Sequence, residues 1–247
     1  MKTSLLSSTK DPMGTAIADY YKQGKAAKLR VFSSQFEEDE IPVAQLFRSY
    51  EQMPPLEQKA LQLAQGKILD CGAGSGCHAL ALQAMGKEVQ DIDISPLSIE
   101  TMRLRGVKQA YQVNLFDENY VEQFDTILLL MNGSGIIGKL ANMSAFFNKM
   151  KQLLTPEGCI YMDSSDLRYL FEDEDGSFLI DLADDYYGEI DFQMQYKQIK
   201  GEPFDWLYID FQTLSLYAAQ NGFTAELIQE GEHYDYLARL KRQSHYK

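Results

Sequence analysis

One stretch, Lys67 to Leu82 (KILDCGAGSGCHALAL), constrains this chain more than any other. Ile68 and Leu69 form a short apolar strand that Asp70 closes, and Gly72, Gly74 and Gly76 follow at alternate positions before a helical pattern begins. The order is strand, glycine turn, helix. Alternate glycines allow backbone dihedrals that a Cβ forbids and let a ligand approach closely, while the helix start offers unpaired N–H groups. A nucleotide-like ligand is the expected occupant.

The next strand, Glu88 to Ile94 (EVQDIDI), ends in Asp93 and is followed by Ser95-Pro96. A carboxylate there can accept hydrogen bonds from both ribose hydroxyls, as in dinucleotide folds. The spacing is G-x-G-x-G, however, with Cys77 where a dinucleotide fingerprint has its third glycine, and an acid ends the first strand.

On these residues the chain resembles the class I S-adenosylmethionine-dependent methyltransferases. ILDCGAGSG is similar to their first motif and VQDIDISP to their second; with LLTPEGCIYM the resemblance runs from roughly Gly66 to Asp163. It implies an α/β, Rossmann-like three-layer sandwich with a seven-stranded, mostly parallel sheet and an antiparallel last strand. It also implies S-adenosyl-L-methionine as cofactor and S-adenosyl-L-homocysteine as product. The cofactor residues carried over are Asp70, Gly72, Ala73, Gly74 and Gly76 in the turn, then Asp93 and Ile94. Asn114 and Leu115 stand where adenine contacts fall, and Met131 and Asn132 end the central strand. Most relatives carry Asp at the position of Asn114, but an amide oxygen accepts the same hydrogen bond. The Pro-Pro-aromatic run that follows this Asn or Asp in amine and nucleobase methyltransferases is missing after Asn132, which stays a candidate for touching the methionine part or the acceptor.

At 247 residues, with 45% apolar and 24% charged residues, the chain has enough material for one α/β domain with decorations. The net charge of -13 works against a nucleic-acid backbone, because affinity there comes mainly from neutralising phosphates. Cys71, Cys77 and Cys159 make an odd count without C-x-x-C spacing, so neither a disulfide framework nor a zinc site follows. The opening residues hold no apolar segment of secretory length, and the longest aliphatic run, Ile127 to Met131, is far too short to span a membrane. The expectation is a cytoplasmic protein with a small-molecule acceptor and no nucleic-acid or membrane partner, its oligomeric state open.

In chain order, residues 1–14 read as a loose terminus and Thr15 to Lys28 as a helix interrupted or ended near Gly24. Pro42 opens a second helix, with Val43, Leu46, Phe47 and Tyr50 at helical spacing. Residues 1–55 are thus expected as a helical extension or lid, with Tyr20, Tyr21, Phe36, Phe47 and Arg48 able to enclose a substrate. Residues 56–247 form the main domain. Phe124 to Met131 reads as a central strand buried on both faces. Residues 167–210 are an insertion after the fifth strand. It is acid-rich over Leu167 to Asp191, then a β-hairpin with Ile190, Phe192, Met194 and Tyr196 on one face and Phe204, Trp206 and Tyr208 on one face of its partner. A negative entrance of this kind would attract a cationic or amine acceptor, though a solvated loop is the simpler explanation of the acids.

Methyl transfer from a sulfonium is an in-line displacement with an already activated donor, so positioning dominates and no invariant acid-base pair is required. Where the acceptor carries a proton, the candidate bases are Asp163, Asp166, His78 and His233, with Tyr161 and Tyr208 as donors. Asp166, at the carboxyl edge of the fifth strand, and His78, just after the turn, join Asn132 as catalytic candidates. Two alternatives stay open: a non-catalytic module that binds S-adenosylmethionine or S-adenosylhomocysteine, and a nicotinamide-dependent oxidoreductase.

Overall fold

The computed structural model describes residues 4–171 and 185–243. In chain order the elements are α1 (Pro12–Gln23), β1 (Leu29–Phe32), β2 (Asp39–Ile41), α2 (Pro55–Leu63), β3 (Lys67–Cys71), α3 (Cys77–Ala84), β4 (Glu88–Asp93), α4 (Pro96–Leu104) and β5 (Ala110–Gln112). There follow β6 (Phe124–Leu129), α5 (Met143–Leu153), β7 (Leu154–Ser165), β8 (Glu189–Tyr196), β9 (Ile199–Lys200), β10 (Phe204–Leu207), α6 (Phe211–Gln220), β11 (Phe223–Glu230) and β12 (Asp235–Arg242). Most of the acid-rich run, including Glu172, Asp173, Glu174, Asp175, Asp181 and Asp184, lies outside the described residues.

Local chemistry sets the boundaries. Pro96 starts α4 at the position where its missing N–H costs nothing, and the Ser95 hydroxyl accepts the Ser98 N–H as a cap. Asp11 caps α1 in the same way, accepting the Gly14 N–H at 2.8 Å, and Gly24 ends the helix in the left-handed conformation.

The main sheet has seven strands in the order β5-β4-β3-β6-β7-β12-β11, with β12 antiparallel to both neighbours and the other pairings parallel. This is the expected Rossmann-like sheet. Because strand side chains alternate, β3 sends Leu69 and Cys71 into a core shared with α5 and α6, and Ile68 into a second core under α2, α3 and α4. Phe124, Phe146, Phe147 and Phe223 are fully buried in the first core, each contributing about 1.5–3 kcal/mol by leaving water.

The N-terminal extension differs from the expected helical pair. Leu29–Phe32 and Asp39–Ile41 are strands, and β1 pairs antiparallel with β8 of the insertion, placing Leu29 opposite Tyr196 and Val31 opposite Met194. With β10 and β9 they build a second, five-stranded sheet. Alternation in Leu-Arg-Val-Phe favoured a strand once β8 offered an unpaired edge. Val43–Phe47 and Tyr50–Gln52 are 3-10 turns; Val43 and Leu46, three apart, are both buried, as that period places them on one face. Residues 4–14 are not loose: the Leu6 N–H donates to the Ile94 carbonyl at 3.0 Å. The register Phe204↔Phe192 and Trp206↔Ile190 puts the expected aromatic residues of the hairpin on one face. Tyr196 and Leu29, fully buried on that face, pack with Ala16, Ile17, Val43 and Leu46 in a third core.

Candidate functional site at the carboxyl edge

Gly72, Gly74 and Gly76 have φ of 72°, 56° and 81°, a region that side chains other than glycine rarely enter. They do different work. A Cβ at Gly72 would meet nothing within 4 Å, and one at Gly74 only the Gly72 carbonyl at 4.0 Å, so this part of the turn faces open space. A Cβ at Gly76 would lie 2.8 Å from Met102 Cγ and 2.9 Å from Val107 Cγ2, so that glycine serves close packing.

The turn is tied to β4. The N–H groups of Gly72 and Ala73 donate to the Ile92 carbonyl at 2.9 and 3.2 Å, and Gly74 N–H donates to Asp93 Oδ2 at 2.9 Å. Ser95 N–H donates to Asp93 Oδ1 at 2.8 Å. Burial pushes the Asp93 carboxyl up to about 6, against those two N–H donors, with Asp11 and Asp70 adding to the rise. Each carboxylate oxygen keeps a further lone pair for a hydroxyl. The Ile94 carbonyl accepts from Leu6 N–H and from Gln112 Nε2 at 3.0 Å, so it anchors the N-terminal segment. Asn114 Oδ1 accepts the Phe116 N–H at 2.9 Å, whereas Leu115, 2% exposed, is committed to the core.

Beyond β6 the chain turns sharply: Met131 and Asn132, neither a glycine, hold φ of 67° and 55°. Asp163, at the end of β7, keeps this conformation by accepting Met131 N–H at 3.0 Å and Gly133 N–H at 2.9 Å. Burial pushes the Asp163 carboxyl up to about 6, opposed by the Gly133 N–H and reinforced by the charge of Glu57. Ser165 donates to Asn132 Oδ1 at 2.8 Å. Met131, Asn132 and Asp163 line a cavity of about 820 Å³ whose other wall carries Tyr20, Phe47 and Arg48. His233 lines it too and is exposed.

That other wall is fastened to the glycine turn. Ser75 donates to the Leu46 carbonyl, and Arg105 Nη1 donates to the Ser75 carbonyl at 2.6 Å and to its Oγ at 2.7 Å. The Arg105 guanidinium also covers the Phe47 ring at 4.6 Å, and Phe47 meets Tyr20 with centroids 4.7 Å apart. Tyr21 and Phe36 are exposed and stand apart from the cavity lining. On the insertion side, Trp206 seats against Gly135, where a Cβ would come within 1.8 Å of its Cε2.

Two catalytic candidates are corrected by the packing. His78 is 5% exposed and lies behind the turn, with Nε2 2.7 Å from Glu57 Oε2 and Nδ1 3.7 Å from Asp70 Oδ2, so neither nitrogen is open to an acceptor. Burial acts to lower its pKa, but the neighbouring Cys77, Asp70 and Glu57 outweigh that and hold it well above the usual imidazole value. Asp166 is spent on Arg168, whose Nε donates at 2.8 Å, and on the Tyr187 hydroxyl at 2.8 Å. Of the bases named from sequence, Asp163 and His233 are the ones in the cavity wall. Tyr161 is buried, and Tyr208 is half-buried with burial pushing its hydroxyl up to about 12.

Two buried acids were not singled out from the sequence. Glu57 receives a hydrogen bond from Arg48 as well as facing His78; burial raises its pKa, and His78 and Arg48 bring it below the ordinary value. Asp91 pairs in register with Asp70, and burial, reinforced by the Asp70 charge, pushes it up to about 9, so it is neutral near pH 7. The D-x-D alternation of Asp91 and Asp93 carried a signal for this, since period two places both on one face of β4. Among the described residues no group of His, Cys, Asp or Glu could hold a metal ion, and no helix is long and apolar enough to cross a membrane.

Comparison with known proteins agrees with this geometry. A family model described as a methyltransferase domain matches residues 63–177. A solved S-adenosylmethionine-dependent methyltransferase from Bacteroides fragilis, in complex with S-adenosyl-L-homocysteine, is 73% identical over 98% of this chain and 99% of its own, with a TM-score of 0.93. The CcbJ methyltransferase from Streptomyces caelestis shares the fold at 14% identity, covering 94% of this chain and 98% of its own with a TM-score of 0.62. A ubiquinone biosynthesis O-methyltransferase from Xanthomonas euvesicatoria is 26% identical over 42% of this chain, and one from Xylella fastidiosa 23% identical over 60%. The chain spans 45% and 61% of the length of these curated relatives. Identity of 73% along nearly the whole of both chains is far beyond a shared fold, and the chain belongs to the S-adenosylmethionine-dependent methyltransferases.

Proposed function

We propose that this protein transfers the methyl group of S-adenosylmethionine to a small-molecule acceptor held in the cavity beside Met131, Asn132 and Asp163. The observation that carries the reading is the open-faced Gly72–Gly74 turn hydrogen-bonded to Asp93, with a cavity at the same carboxyl edge. Asp93 takes the ribose hydroxyls, Asn114 the adenine amine, and the turn of Met131 and Asn132 borders the methionine part and the acceptor.

In the reaction an acceptor lone pair forms a bond to the methyl carbon while the carbon–sulfur bond breaks, its electron pair staying on sulfur as the thioether of S-adenosylhomocysteine. The contribution of this chain is to align the two centres and keep water out, which Tyr20, Phe47 and the 3-10 segment Val43–Phe47 do as a lid. If the acceptor loses a proton, Asp163 is a carboxylate in the cavity wall beside Met131 and Asn132, and above pH ~6 its ionised form accepts it.

Calorimetric titration with S-adenosylmethionine and S-adenosylhomocysteine, with NADH as control and Asp93→Ala as variant, tests the reading. Binding of both sulfur compounds that the variant loses supports it and opens an acceptor screen. NADH binding in their place would return the chain to the oxidoreductases.

A further inference from the structure

Four aromatic side chains of the insertion belong to none of the three cores of the described residues. Phe192, Phe204, Trp206 and Tyr208 are each half-buried and pack on one another. The Phe192 ring centroid stands 6.1 Å from that of Phe204 and 6.4 Å from that of Tyr208, and Phe204 stands 6.0 Å from Trp206, the last two pairs meeting edge to face. Contiguous apolar surface that no core covers marks a binding site.

Both ends of this row meet the cavity. Trp206 lies against Gly135, three residues past Asn132 of the cavity wall. At the other end, burial and then Tyr169 push the Tyr208 hydroxyl up to about 12, so Tyr169 stands near it. The Tyr169 ring stacks on Tyr234 with centroids 5.0 Å apart and planes 14° from parallel. Tyr234 follows His233 of the cavity wall and holds a φ of 60°, strained for an aromatic residue, with its carbonyl fixed by the Asp166 N–H at 2.9 Å.

The aromatic face of β8 and β10 carries no charged side chain. Period two sends Glu189, Asp191 and Asp205 to the opposite face, where Glu189 accepts the Leu140 N–H at 2.7 Å and Asp191 the Ser34 N–H at 3.1 Å. A cation would find no carboxylate among these rings, whereas a flat ring gains further edge-to-face or stacked contacts.

We propose that this row of rings seats an aromatic ring of the acceptor, so that the substrate class is a neutral planar arene whose nucleophilic substituent enters the cavity beside Met131, Asn132 and Asp163. The inference rests on the methyl-transfer reading: a lone pair of that substituent bonds to the methyl carbon as the carbon–sulfur bond breaks, and a proton on it passes to Asp163.

Trp206 is the single tryptophan of the chain, so tryptophan emission reports on this row directly. The protein saturated with S-adenosylhomocysteine is titrated with phenol, cyclohexanol and cyclohexylamine, which are alike in size and differ in π-surface and charge. The expected result is phenol bound about fivefold or more tighter than the other two. Phe192→Leu brings that preference below about twofold, while affinity for S-adenosylhomocysteine stays within about twofold of wild type. Tyr169→Leu, on an exposed ring, serves if Phe192→Leu melts below the assay temperature. Equal affinity for phenol and cyclohexanol, tighter binding of cyclohexylamine, no response to phenol, or a preference untouched in the variant overturns the proposal. Wild-type protein that binds no S-adenosylhomocysteine overturns the methyl-transfer reading instead, and the phenol titration repeated without it still reads the aromatic row.

Discussion

The backbone N–H of Gly74 donates to Oδ2 of Asp93 at 2.9 Å, making the turn after β3 and the acid at the end of β4 one hydrogen-bonded unit. Since burial holds the Asp93 carboxyl at about 6, its charge is switchable near neutral pH. Ribose hydroxyls bond best to the ionised form, so affinity for S-adenosylhomocysteine rises from pH ~5 to pH ~7 and then levels. Asp93→Asn costs about tenfold or more and flattens the profile, since a charged hydrogen bond is worth about 1.5–3 kcal/mol. Calorimetry at several pH values checks both; a variant that kept the wild-type slope would remove Asp93 as its source. Stability of the ligand-free protein runs the other way. The folded pKa is raised, so this group stabilises below about pH 4 and loses that contribution as pH passes about 6.

The three glycines separate binding from stability. Ala at Gly72 or Gly74 meets open space, so its cost to folding is the left-handed backbone alone, about 1–2 kcal/mol, while its methyl group stands where the ligand approaches. Ala at Gly76 adds collisions with Met102 and Val107 and costs about 3 kcal/mol or more in stability. Urea unfolding alongside S-adenosylhomocysteine titration distinguishes them. The first pair loses affinity more than stability, the third the reverse, and equal behaviour at all positions would refute the division.

Removing Glu57 leaves Arg48 and His78 facing each other without their shared anion. Glu57→Gln therefore destabilises by about 3–5 kcal/mol, more than an ordinary surface change. His78 has a raised folded pKa, so its stabilising contribution is complete below about pH 6 and is lost as pH climbs through that higher value. The stability gap between wild type and His78→Gln accordingly narrows on the alkaline side. A gap that widened from pH ~7 to pH ~9 would show that His78 is neutral in the native protein.

Gly135→Ala places a methyl group inside the Trp206 indole. Relief requires β10 to move away from the carboxyl edge, at about 2 kcal/mol or more. The expected result is a lower urea midpoint with affinity for S-adenosylhomocysteine within about twofold of wild type, because the glycine turn and Asp93 are untouched. A variant as stable as wild type would mean that the indole reorients freely.

Much of this molecule was legible in its sequence because the relevant physics is local. Positive-φ glycines, capping Ser95 before Pro96, the doubly buried run of β6 and the alternating faces of the hairpin depend on a residue and its near neighbours. Strands alternating with helices then leave little choice but the mostly parallel sheet observed. Tertiary structure decided the partners. Periodicity says which face a side chain occupies and is silent on which distant segment covers it. Hence β1 was not foreseen as a strand, since it pairs with β8, far along the chain, and β2 adds only to the outer edge of β1. Likewise His78 and Asp166 stood at plausible places beside the carboxyl edge, but Glu57 and Asp70 enclose the first, and Arg168 and Tyr187 occupy the second. The same packing brought Arg48, Tyr20 and Asp163 around one cavity. A sequence can name side chains able to do the chemistry, but burial and charge pairing decide which of them are free to do it.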